Sequence, residues 1–176
     1  KVTSSLFVDG WRLPNKRLDT GTIASRIANA SLRSSGVNLF SWRRAVEVDD
    51  ECIATLCNNL SLEKLYLGYE NCSTLTSAVV DVILRSPTAQ SLSFACIMDL
   101  PAIAPGDVLR LARGCPRLTS LDYSLDPVDS DDESVEVGAS GLSVADQSHI
   151  ADLFDLLESR CREANIPPRF QIKLLV

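Results

Sequence analysis

The segment Leu60-Ser61-Leu62-Glu63-Lys64-Leu65-Tyr66-Leu67-Gly68 constrains this chain more than any other. Its leucines at 62, 65 and 67 follow the spacing L-x-x-L-x-L. On an extended backbone side chains alternate between two faces, so Leu65 and Leu67 point one way and Lys64 and Tyr66 the other. So short a strand, apolar on one face, cannot bury that face by itself. Neighbouring strands and covering helices must do it.

The rest of the chain offers both. Residues 3–8 alternate apolar and polar positions and read as a strand, with Trp11 and Leu13 beneath it. A helical face runs through Ile23, Ile27, Ala30 and Leu32, and a second strand occupies 36–42. Asp49, Asp50 and Glu51 then sit where a helix macrodipole favours negative charge, ahead of Ile53, Leu56 and Cys57. After the strand at 62–67, Thr76 is placed to cap a helix over 77–85, which Ser86-Pro87 stops. A fourth strand is expected at 89–94. Gly114 closes the helix that follows, in the position where helices favour glycine, and a fifth strand occupies 118–123. The stretch 126–141 is acidic and nearly free of large apolar residues, and reads as a solvated loop. Ser143 opens a capping helix over 144–164, Pro167-Pro168 ends it, and 169–175 makes the last strand.

Aligned on the first position of L-x-x-L-x-L, these strands start at 3, 36, 62, 89, 118 and 169, in steps of 33, 26, 27, 29 and 51. The middle steps lie at or near the upper edge of the leucine-rich-repeat period, about 20 to 29 residues, and the last shortens once the acidic insert is removed. A doubly wound sheet would instead carry longer, continuously apolar strands. Residues 58–68 resemble the repeats of the ribonuclease-inhibitor-like family. Leu109-Arg110-Leu111-Ala112-Arg113-Gly114-Cys115-Pro116-Arg117-Leu118-Thr119-Ser120-Leu121 resembles the cysteine-containing repeats of F-box/leucine-rich-repeat proteins. The likeness covers 36–124 and reaches the flanks loosely. Cys72 and Cys96 sit off the usual offset, Ser41 and Tyr123 replace the last leucine, and no F-box-like segment is present. The fold this implies is α/β: one leucine-rich-repeat solenoid over 1–176, a horseshoe arc with parallel strands on the concave face and helices on the convex face.

Composition narrows the function. A net charge of -6 and a pI near 4.8 argue against a nucleic-acid surface, and no apolar run reaches the roughly 20 residues of a membrane span. The chain begins at Lys1, so its start carries no information on targeting. Six cysteines without C-x-x-C spacing and a single histidine, His149, make a poor metal site, and no metal or cofactor is expected. They fit reduced thiols in the cytoplasm or nucleus. Three Asn-x-Ser triplets, at Asn29, Asn59 and Asn71, pull weakly toward a secreted setting. No nucleophile elbow, P-loop or dinucleotide fingerprint occurs, and His149 lacks spacing to a nucleophile, so no catalytic residue is assigned.

The strand neighbours that alternate with the leucines carry the functional expectation. Phe7, Asp9, Phe40, Trp42, Lys64, Tyr66, Ser93 and Asp122 are expected to line the concave face, where exposed aromatics suit a protein partner or peptide. Ser130, followed by Asp131, Asp132 and Glu133, resembles the sites of acidophilic kinases. The expected function is non-enzymatic protein binding by a monomeric fragment. The alternatives are the substrate-recognition part of an F-box-type ubiquitin ligase and a repeat domain of a nucleic-acid export factor.

Overall fold

The computed structural model describes residues 4–9, 37–43, 49–68, 74–125 and 142–174, with the backbone alone for 4–9, 37–43 and 173–174. The expected helix near 22–32, the acidic stretch 126–141 with Ser130, Cys72 and the triplets at Asn29 and Asn71 lie outside the described residues.

Six strands pair in chain order and all run parallel: β1 (Ser4–Asp9), β2 (Val37–Arg43), β3 (Lys64–Gly68), β4 (Phe94–Met98), β5 (Ser120–Leu125) and β6 (Arg169–Leu174). Parallel neighbours need crossovers. From β2 onward these carry α1 (Asp50–Asn59), α2 (Ala78–Leu84) with a 3-10 turn at Pro87–Gln90, α3 (Pro105–Gly114) and α4 (Val144–Glu163). The strand order never reverses, so the sheet has no switch-point crevice of the doubly wound kind. Successive helices pack on one another, α1 on α2, α2 on α3 and α3 on α4.

Local chemistry explains the element boundaries. The Cys52 N–H donates to Asp49 Oδ1 at 2.8 Å, so Asp49 caps α1, with Asp50 and Glu51 in its first turn. Thr76 bridges two helices: its N–H and hydroxyl donate to the Asp50 carboxylate, and its Oγ1 accepts from the Ala78 N–H at 3.2 Å. At α4, Ser143 Oγ accepts from the Asp146 N–H at 3.1 Å while donating to Asp146 Oδ2 at 2.7 Å. Arg160 of α4 donates to the Cys115 and Leu118 carbonyls at 2.9 and 3.2 Å, satisfying oxygens just past the end of α3. Gly114 is explained by packing rather than by a left-handed φ. A Cβ there would come within 2.3 Å of Leu84 Cδ2.

The core lies between the helices and the inward side of the sheet. Leu62, Leu65 and Leu67 are buried, as are Leu92, Ala95 and Ile97 of the next unit and Leu118, Leu121 and Tyr123 of the one after. Tyr123 fills its place because its hydroxyl donates to the Ile103 carbonyl at 2.7 Å, which satisfies the buried oxygen.

Two expectations are corrected. The strand expected at 89–94 is not there. Pro87–Gln90 form a 3-10 turn and β4 starts at Phe94. Pro87 pre-sets a helical φ and lacks an N–H for a ladder, and the hydroxyls that follow bond backbone. Thr88 Oγ1 donates to the Leu60 carbonyl at 2.8 Å and accepts from the Leu62 N–H at 3.3 Å, and Ser91 and Ser93 donate to the Leu62 and Glu63 carbonyls at 2.8 and 3.0 Å. The repeated pattern is therefore Leu92-x-x-Ala95-x-Ile97, three residues later than expected.

The second correction concerns the architecture. The chain is not a leucine-rich-repeat solenoid. The sheet is a small parallel one flanked by four helices, and it is curled into neither an arc nor a barrel. A horseshoe accumulates curvature from a constant small rotation per repeat. Here the described helices hold 10, 7, 10 and 20 residues, so the units that would have to stack with one constant rotation are unequal. Among the described residues the sheet has a helix-covered side and an open side.

Candidate binding surface

Alternation along each strand sends the leucine positions toward the helices and their neighbours to the open side. The register sorts those neighbours into rows. Lys64 stands opposite Phe94, Phe94 opposite Ser120, and Ser120 opposite Arg169. One step on, Tyr66 stands opposite Cys96, Cys96 opposite Asp122, and Asp122 opposite Gln171. Between these rows runs the buried one, Leu65, Ala95 and Leu121.

The two open rows surround a depression of about 540 Å³, lined by Lys64, Tyr66, Phe94, Ser120, Asp122 and Arg169 with neighbouring β6 residues. Its depth follows from side-chain size. Ser120 is small, its hydroxyl donating to the Arg169 carbonyl at 2.7 Å, and the larger Phe94 and Arg169 stand on either side of it in the row. The Tyr66 and Phe94 rings meet at a centroid distance of 4.8 Å, tilted by 38°. Both are half-buried, and Lys64, Arg169 and Gln171 are exposed. Among the described residues no ion pair or hydrogen bond engages the side chain of Lys64, Asp122 or Arg169. On α3, by contrast, Arg110 is bridged by Asp81 and Asp107 at 2.8 and 3.0 Å, and Arg113 by Asp152 at 3.0 Å.

The expected site residues fall as follows. Lys64, Tyr66 and Asp122 come together on this surface. Ser93 lies in the turn before β4, half-buried and bonded to Glu63, and Phe94 occupies the strand position. Register puts Phe7 beside Ser41, which pairs with Tyr66, but it puts Phe40 in the row of Leu65. Asp9 and Trp42 belong to β1 and β2, whose side chains lie outside the described residues. Phe94, Ser120, Arg169 and Gln171 escaped the sequence reading. Aligning Leu92, Ala95 and Ile97 on Leu62, Leu65 and Leu67 would have found Phe94.

His149 does not sit at this surface. Its ring packs against Gly106 of α3, where a Cβ would come within 3.1 Å of Cε1, and its Nδ1 is buried without a hydrogen-bond partner among the described residues. Cys57 and Cys115 lie in the core, and burial pushes their thiols up to about 12 and about 11. Such thiols stay protonated and are poor nucleophiles. Among the described residues no group of three or more His, Cys, Asp or Glu is placed to hold a metal ion, and no helix is long and apolar enough to cross a membrane.

Compared with protein-family models, with curated proteins and with solved structures, the chain matches none of them, so the repeat-like segments gain no family from these comparisons.

Proposed function

We propose that this chain is a non-enzymatic binding module of the cytoplasm or nucleus, and that it docks a partner protein on the open side of its sheet. The observation that supports this reading is the Tyr66–Phe94 ring pair, half-exposed on a face that no described helix covers and bordered by charged side chains with no ion pair among the described residues. Aromatic surface left in water is costly, and covering it with a partner recovers that cost, which is why such rings dominate binding hot spots. Neither ring is part of the leucine core, so both can be removed with the fold intact.

The test compares the proteins retained from a cell extract by the immobilised wild-type chain with those retained by Tyr66→Ala and Phe94→Ala, each shown folded by circular dichroism. A partner held by the wild type and lost by both variants is the expected result. Identical retention by all three would discard the open face as the docking surface.

A further inference from the structure

We propose that the occupant of the open face is an extended acidic segment of a partner protein, lying across the strands along the Lys64–Phe94–Ser120–Arg169 row. This rests on the docking-face reading above and specifies its ligand. Three observations carry it.

The first is charge. Although the chain is acidic overall, at -6, this stretch of the row carries a cation on β3 and another on β6, and neither side chain has a carboxylate partner among the described residues. Arg110 and Arg113 on the helix side carry their own. Two cations without a described counter-charge, on an acidic protein, mark the place where an outside anion is stabilised instead of repelled.

The second is spacing. Lys64 and Arg169 stand three strand intervals apart, about 14 Å at roughly 4.8 Å per interval. An extended peptide advances about 3.4 Å per residue, so carboxylates four residues apart are also separated by about 14 Å. The sheet's twist moves the two cations off one line, and the flexible stems of Lys and Arg absorb that shift. Between them, one interval from Lys64 and two from Arg169, lies Phe94 with its ring against that of Tyr66, facing an apolar residue inside the peptide.

The third is the negative charge of Asp122. It lies two residues along β5 from Ser120, about 7 Å, and its side chain likewise has no ion pair among the described residues. It opposes a continuous acidic tract, so two spaced carboxylates fit better than a run of them. It also opposes a nucleic-acid backbone, whose phosphates repeat without gaps. The two rings are tilted onto each other at 4.8 Å and do not offer the separated faces on which successive bases stack.

The experiment uses the full chain and fluorescein-labelled probes, read by fluorescence polarisation at low and high salt. One peptide has the core Glu-Ser-Leu-Ser-Glu, one Glu-Leu-Glu, one Lys-Ser-Leu-Ser-Lys, and the fourth probe is an oligouridine. The first peptide is expected to bind about tenfold tighter than the other two, with affinity falling as salt rises. Lys64→Glu and Arg169→Glu, both at exposed positions, are each expected to weaken it by about fivefold or more. Equal binding of the lysine peptide, or indifference to both reversals, overturns the acidic segment. If Tyr66→Ala still weakens binding in that case, the docking face survives, and if it does not, both readings fall. Tighter binding of oligouridine overturns the proposal in favour of a nucleic-acid ligand. Failure of every probe to bind overturns it as well, leaving the docking face to the retention experiment.

Discussion

Thr88→Val tests the hydrogen bonds that set where β4 begins. Thr88 is fully buried, and its hydroxyl, with the Cys57 carbonyl 3.4 Å away, chiefly serves two backbone groups of the preceding unit, the Leu60 carbonyl at 2.8 Å and the Leu62 N–H at 3.3 Å. Valine keeps the shape, so no cavity opens, and both backbone groups lose their partner. An unsatisfied buried group costs about 1–3 kcal/mol. The shorter bond warrants the middle of that range and the longer one its lower end, while the added methyl returns about 0.8 kcal/mol. The balance is a loss of about 2 kcal/mol, equivalent to roughly 4–8 °C in Tm for a chain of this size. Urea unfolding followed by circular dichroism reads it as a lower midpoint at unchanged slope. Thr88→Ser is the control: it keeps the hydroxyl, drops one methyl, and should lose only about 1 kcal/mol. A valine variant as stable as wild type, or a serine variant less stable than the valine one, would refute this account.

Two further outcomes follow from backbone geometry and from buried acids. Gly68 has φ +132°, and a Cβ there would lie 2.1 Å from the Met98 carbonyl oxygen, so Gly68→Ala should cost about 3 kcal/mol or more in the same urea assay. Gly114→Ala meets only the tip of Leu84 and should cost about 1 kcal/mol, and equal losses at the two glycines would contradict the distinction. Burial raises the thiols of Cys57 and Cys115 from 9.0 to about 12 and about 11, and also raises the Tyr123 phenol. Above pH 9 the unfolded chain gives up these protons while the folded chain keeps them, so the folded state binds more protons and stability falls as pH rises. Urea midpoints measured from pH 7 to 11 should be level to about 9 and then decline, less steeply in Cys57→Ala, and a rise above pH 9 would mean that these buried acids do not govern stability there.

Much of the fold was legible because its signals are local. The leucines of 62–67 are buried, and Asp49 and Ser143 cap helices where short polar side chains precede an apolar helical face. The order of strand and helix could be read in the same way. The arc could not. Curvature is the sum of small rotations over all repeats, and it depends on how long each covering helix turns out to be. The 89–94 stretch misled for a related reason. Ala89-Gln90-Ser91-Leu92-Ser93-Phe94 alternates like a strand, yet Thr88, Ser91 and Ser93 hold it to the backbone of 60–63, about 30 residues earlier. No window of local sequence contains both partners.

That same long-range bond set decides what the open face presents. Alternation within β3 is enough to put Lys64 and Tyr66 outward, and both were legible. What stands beside them depends on register. Had β4 started three residues earlier, small serines would have followed Tyr66 across the sheet and the face would have been polar and flat. The hydroxyl bonds of Thr88 and Ser91 delay the strand until Phe94, and the ring pair with Tyr66 exists because of that delay. Arg169 enters the row only because β6 pairs with β5 from its first residue, directly after Pro167-Pro168 ends the crossover from α4. Composition of the surface is thus set by contacts on its buried side. Substitutions at Thr88 and Ser91, though remote from any ligand, belong in the same experiments as those at Tyr66 and Phe94.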